Sequence, residues 1–86
     1  MNKKLLMELI ERYDLTEEEA HVLEYFLKNI SVGEILAIRE LMALYNIKEP
    51  FRIILRLIKK GLLVKGLGCY NLSPDIRRSL RMHKLR

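Results

Sequence analysis

Pro50-Phe51-Arg52-Ile53-Ile54-Leu55-Arg56-Leu57-Ile58-Lys59-Lys60-Gly61, followed at once by Leu62-Leu63-Val64-Lys65-Gly66-Leu67-Gly68-Cys69-Tyr70-Asn71-Leu72, is the stretch on which the fold turns. Proline suits the first helical turn, where its missing N–H has no partner to lose. Glycine is common just past a helix C-terminus, because it takes a left-handed backbone without steric cost. The pattern therefore predicts a helix over 50–60 that stops at Gly61. The runs 62–65 and 69–72 read as short strands, and Gly66-Leu67-Gly68 between them fits a hairpin loop.

The helix has two faces. With Arg52 placed at 0° on a helical wheel, Lys59 falls at about −20°, Arg56 at about 40° and Lys60 at about 80°. One turn back, Lys48 falls at about −40° and Glu49 at about 60°, so the arc is mainly cationic. Phe51, Ile53, Ile54, Leu57 and Ile58 hold the opposite arc. Burial requires the apolar arc but does not require the other arc to be so basic. Arg52 and Arg56 are candidates for base edges, since a guanidinium donates two parallel hydrogen bonds to guanine or clamps a phosphate. Lys48, Lys59 and Lys60 are candidates for phosphates.

Upstream, three further helices are expected. Over 2–13, Leu5, Leu6, Leu9, Ile10 and Tyr13 share one side. Thr16 with Glu19 has capping-box spacing and opens a second helix, and the acids Glu17, Glu18 and Glu19 suit its positive end. Its inner stripe reads as Ala20, Leu23, Phe26, Leu27 and Ile30, with His21, Tyr25 and Lys28 outside. Residues 34–37 read as a short extended piece or a first helical turn. A third helix, 38–45, would bury Ile38, Leu41, Met42 and Tyr45. Downstream, Ser73 as N-cap, Pro74 at the first position and Asp75 in the first turn start a last helix that runs to about residue 84. On it Ile76, Leu80 and His83 line one side, and Arg77, Arg78, Arg81 and Lys84 cover an arc roughly opposite.

Charge is unevenly spread. Residues 1–30 carry four Lys/Arg against seven Asp/Glu, residues 31–72 seven against three, and residues 73–86 five against one. An acidic third followed by a basic remainder attracts a polyanion to one side of the molecule. The 86 residues suffice for one domain, 1–86, with a core at 14–72, an N-terminal helix at 1–13 and a basic helix at 73–86. Lone Cys69 is incompatible with a disulfide framework or a cysteine-based zinc site, and makes a reducing, cytoplasmic setting the expectation. No apolar run is long enough to cross a membrane, and acids interrupt the N-terminus too early for a signal peptide. No acid–base or nucleophile cluster and no glycine-rich phosphate loop is present, so no enzyme, no cofactor, no metal and no small-molecule ligand is expected. The chain has no Gln, one Thr and many Leu, Ile, Lys, Arg and Glu, a thermophile-like bias.

Helix, tight turn, helix, glycine and two-stranded ribbon is a winged helix-turn-helix order. Leu15-Thr16-Glu17-Glu18-Glu19-Ala20, Ile38-Arg39-Glu40-Leu41-Met42 and Leu57-Ile58-Lys59-Lys60-Gly61-Leu62-Leu63 resemble the corresponding segments of winged-helix transcription regulators of the MarR and TrmB sort. The fold expected is mostly α with a small β-hairpin wing, in the order α/α/(β)/α/α/β/β/α. The resemblance implies a homodimer that binds double-stranded DNA sequence-specifically, with the 50–60 helix in the major groove. It adds Lys65 of the wing and Arg77, Arg78 and Arg81 of the tail as flanking phosphate contacts. Leu5, Leu6, Leu9 and Ile10 become candidates for the two-fold interface. The protein would then be nucleoid-associated and regulate transcription. The alternative is a winged-helix protein–protein module in a transcription, replication or membrane-remodelling assembly. A very short wing and spare apolar surface on the first helix favour that alternative.

Overall fold

A computed structural model describes residues 3–84, so readings that fall on residues 1, 2, 85 and 86 lie outside the described residues. The elements are α1 (Lys3–Tyr13), α2 (Glu17–Asn29), β1 (Ser31–Gly33), α3 (Glu34–Tyr45), α4 (Pro50–Lys59), β2 (Leu63–Gly66), β3 (Cys69–Leu72) and α5 (Pro74–Lys84). The molecule is mostly helical with a small antiparallel sheet, as a winged-helix-like fold requires.

Local chemistry sets the boundaries. The Thr16 hydroxyl accepts from the Glu19 N–H at 3.2 Å, and the Glu19 carboxylate accepts from the Thr16 N–H at 2.9 Å, closing the capping box that starts α2. At the end of α4, Gly61 sits at φ 82°, the Leu62 N–H donates to the Leu57 carbonyl and the Gly61 N–H to that of Ile58. This Schellman arrangement satisfies carbonyls the helix would leave open, and it turns the chain into the wing. At the start of α5 the Ser73 hydroxyl accepts from the Ile76 N–H at 3.4 Å.

The sheet has the order β1-β3-β2, so the last strand in the chain is the middle one. Val32 stands opposite Tyr70, and Val64 opposite Asn71. The hydroxyl of Ser31 donates to the side-chain oxygen of Asn71 across the first pairing. The core lies where α2, α3 and α4 close over the sheet. Leu23, Phe26, Leu41, Ile54, Leu57 and Leu63 are fully enclosed there.

Several expectations are corrected. The short strand is 31–33, and of the two readings of 34–37 the first helical turn holds: Glu34 starts α3, where an acid complements the helix dipole. Gly66 belongs to β2, which shortens the loop to Leu67 and Gly68. Tyr25 is buried, not outward. Its hydroxyl donates to Glu40, and its ring meets Phe26 and Tyr45 edge-on. Burial first, and the Glu40 carboxylate second, push that phenol far above its ordinary value. Met42 and Phe51 are half exposed, where the helical wheels would enclose them.

Candidate interaction surface

α4 presents the side chains on which any binding reading depends. Its enclosed side is Ile53, Ile54 and Leu57. On the opposite side Arg52, Arg56 and Lys59 are exposed, as is Lys48 in the preceding turn. Arg52 lies 3.5 Å from the Glu49 carboxylate, with both side chains about two-thirds exposed. Such a pair is screened by water and leaves the guanidinium available. Among the described residues Lys48, Arg56 and Lys59 have no carboxylate within ion-pair distance. The cleft of about 200 Å³ beside them holds Glu18 and Glu49 as well as the cations, so its field is mixed.

Two predicted phosphate contacts are engaged elsewhere. Lys60 turns inward from the end of α4. Its ammonium donates to the Glu19 carboxylate at 3.1 Å and to the Tyr13 carbonyl at 3.2 Å. Burial pushes the Glu19 carboxyl up, but the Thr16 N–H and the Lys60 ammonium outweigh it and hold the group below its ordinary value. Lys60 therefore ties α4 to the α1–α2 corner. Lys65 lies 2.7 Å from Glu34. That bond raises the lysine pKa and cancels the wing's cation.

The tail keeps its arginines outward. Arg77 donates to Asn71 at 3.5 Å, Arg78 lies 3.6 Å from Asp75, and Arg81 is exposed. They rim a groove of about 330 Å³ with Ile30, Pro74 and Leu80. Ile76 and Leu80 dock α5, and His83 stands 3.7 Å from Glu8 of α1. Of the four residues expected at a two-fold interface, Leu5 and Leu9 are instead enclosed by their own chain, at 2% exposure each. Leu6 and Ile10 stay half-buried, and exposed Met7 lies between α1's two enclosed leucines in sequence.

A second feature of this surface is apolar, and the wheel missed it. Phe51 is 52% exposed and Leu55, one turn on, is 42% exposed. On α3, Ile35, which lines one groove with Phe51, is 73% exposed. A shallow groove of about 340 Å³ runs between the two helices, lined by Glu34, Ile35, Ile38, Arg39, Phe51 and Tyr70. The signal was available in the composition of α4. Seven of its ten residues, PFRIILRLIK, are apolar, more than one helical face can enclose.

No group of three or more His, Cys, Asp or Glu among the described residues could hold a metal ion, and no described helix is long and apolar enough to cross a membrane. A family model described as PolB1 Binding Protein 2 matches residues 16–78, from the cap of α2 into the first turns of α5. No curated protein matches the chain.

Proposed function

The chain belongs to the PolB1 Binding Protein 2 family, and from that premise we propose that it is a small protein–protein interaction module of a replication assembly, docking on a DNA polymerase B1. The family match carries the proposal, since it spans the whole winged core. The state of the cations supports it. Lys60 and Lys65, which a DNA-reading winged helix would turn to phosphates, are tied to Glu19 and Glu34. The wing tip holds Leu67, fully exposed, where a groove-reading arginine would be needed. The module acts by binding.

Mixing the purified chain with purified DNA polymerase B1 and measuring the mass of the complex tests this. A stoichiometric complex that persists at physiological salt is the expected result. Two species that elute separately at tens of micromolar would refute it.

Duplex DNA binding in the manner of MarR- or TrmB-like regulators is the second reading. Arg56, Lys59 and Lys48 favour it, being exposed and without an acid partner among the described residues. Each neutralised phosphate steepens the salt dependence of binding by about 0.9 in log–log slope. A slope near zero for the isolated chain removes this reading. A homodimer through α1 would have to use Leu6, Met7 and Ile10, and sedimentation at tens of micromolar decides it.

A further inference from the structure

We propose that the polymerase is engaged through the strip made by Ile35 and Ile38 of α3 with Phe51 and Leu55 of α4, and that it offers there an amphipathic segment whose apolar face is flanked by carboxylates. This rests on the polymerase-binding reading above and adds the surface and the chemistry of the partner segment.

Three observations converge on the strip. First, Ile35 and Phe51 are 73% and 52% exposed, and they face one groove of about 340 Å³ with Ile38 and buried Tyr70 at its base. Large apolar side chains gathered on one surface mark a protein contact, whereas scattered ones do not. Second, the edges of the strip are cationic. Arg39 lines the groove from α3 with no carboxylate within ion-pair distance among the described residues. Arg52 and Lys59 occupy the arc of α4 next to Phe51 and Leu55. The groove's own acid, Glu34, is neutralised by Lys65 at 2.7 Å. An apolar floor between exposed cations, of which Arg52 shares only a solvent-screened contact with Glu49, is complementary to an apolar ridge between acids, the helix-in-groove mode of recognition. Third, duplex DNA supplies nothing to cover the strip. Its major groove offers an apolar contact only at thymine methyl groups, too little to cover side chains as large and as exposed as Ile35 and Phe51. The α5 groove is the weaker site, because its large aliphatic lining residues, Ile30 and Leu80, are half-buried and buried, whereas Ile35 and Phe51 stand exposed.

The experiment is a titration of purified DNA polymerase B1 with the parent chain, with Ile35→Glu, with Phe51→Glu and with Leu44→Glu. Leu44 is 70% exposed on another side of α3 and serves as the control. Both strip variants should lose about 30-fold or more in affinity, the range of a central interface anchor. Leu44→Glu should stay within about threefold. Arg39→Glu combined with Arg52→Glu should weaken binding most at low salt, where screening is least. Melting curves verify that each variant is folded. Should a glutamate unfold the chain, hydrogen exchange on the parent complex replaces it, with slowing over residues 34–39 and 50–55 expected. If the parent binds and the strip variants bind equally well, the surface is wrong and the polymerase reading stands. If the parent does not bind, the polymerase reading falls and takes this surface with it. If the strip variants lose duplex-DNA binding by the same factor, the strip is a nucleic-acid face and the proposal is overturned.

Discussion

At its C-terminal end α4 is fastened: Leu57 is enclosed, Lys60 bridges to Glu19 and the Tyr13 carbonyl, and Gly61 closes the last turn. At its N-terminal end Phe51, Arg52 and Leu55 stand open, and Glu49 makes no side-chain cap. Both ends carry cations and large aliphatic side chains: Arg52 with Ile53, Ile54 and Leu55 in one, Arg56, Lys59 and Lys60 with Leu57 and Ile58 in the other. What separates them is the neighbour each meets. The C-terminal end abuts the α1–α2 corner and the start of the wing, whereas the N-terminal end overhangs the groove beside α3. Residue type therefore does not tell a structural lysine from a surface one; only the tertiary partner does.

The contrast can be broken by substitution. Leu57→Ala should cost about 3–4 kcal/mol of stability, since it opens a cavity in an enclosed site, while Leu55→Ala two positions away should cost no more than about 1 kcal/mol. Equal losses in a denaturant titration would end the comparison. Lys60→Met should cost about 2 kcal/mol, because it leaves the Glu19 carboxylate enclosed with one cation fewer; the figure is discounted because the lysine side chain is about one-third exposed.

Acid should act through the same bond. The Glu19 carboxyl is held below its ordinary value of 4.5, so its contribution is complete above that value and is lost as pH falls through the depressed one. The gap in melting temperature between the parent and Glu19→Gln should therefore shrink as pH falls below 4.5. A gap that widens on acidification would contradict the assignment. Gly61→Ala should cost about 1 kcal/mol from backbone strain alone, since nothing lies within 4 Å of the added methyl group. Arg56→Ala should change stability by less than about 0.5 kcal/mol, as fits an exposed side chain without an ion pair.

The local grammar of the chain was legible because it is local. The α2 capping box, the proline that opens α4, the glycine that ends it and the Ser73 cap each involve residues within a few positions of one another. Tyr25 was misread for the opposite reason. A wheel assumes one buried face, but α2 packs against α1, α3 and α4, so the tyrosine turns toward Glu40, fifteen residues on. β1 left no alternating pattern because three residues are too few to alternate; it exists because β3 has an edge to offer. The partners of Lys60 and Lys65 lie 41 and 31 residues earlier, at Glu19 and Glu34, and no spacing rule links them. The candidate surface was half visible. Its cations follow from the wheel, but the uncovered apolar strip depended on how far α3 and α4 overlap.

The order of the sheet also bears on biogenesis. β3 leaves the ribosome after β1 and β2, yet it is the strand that both of them flank. Until Tyr70 has been translated, Val32 has no strand to lie against, and Val64 waits for Asn71. β1 must therefore wait some forty codons, the separation of Ser31 from Asn71, for its pairing strand, whereas the wing closes over the few residues between β2 and β3.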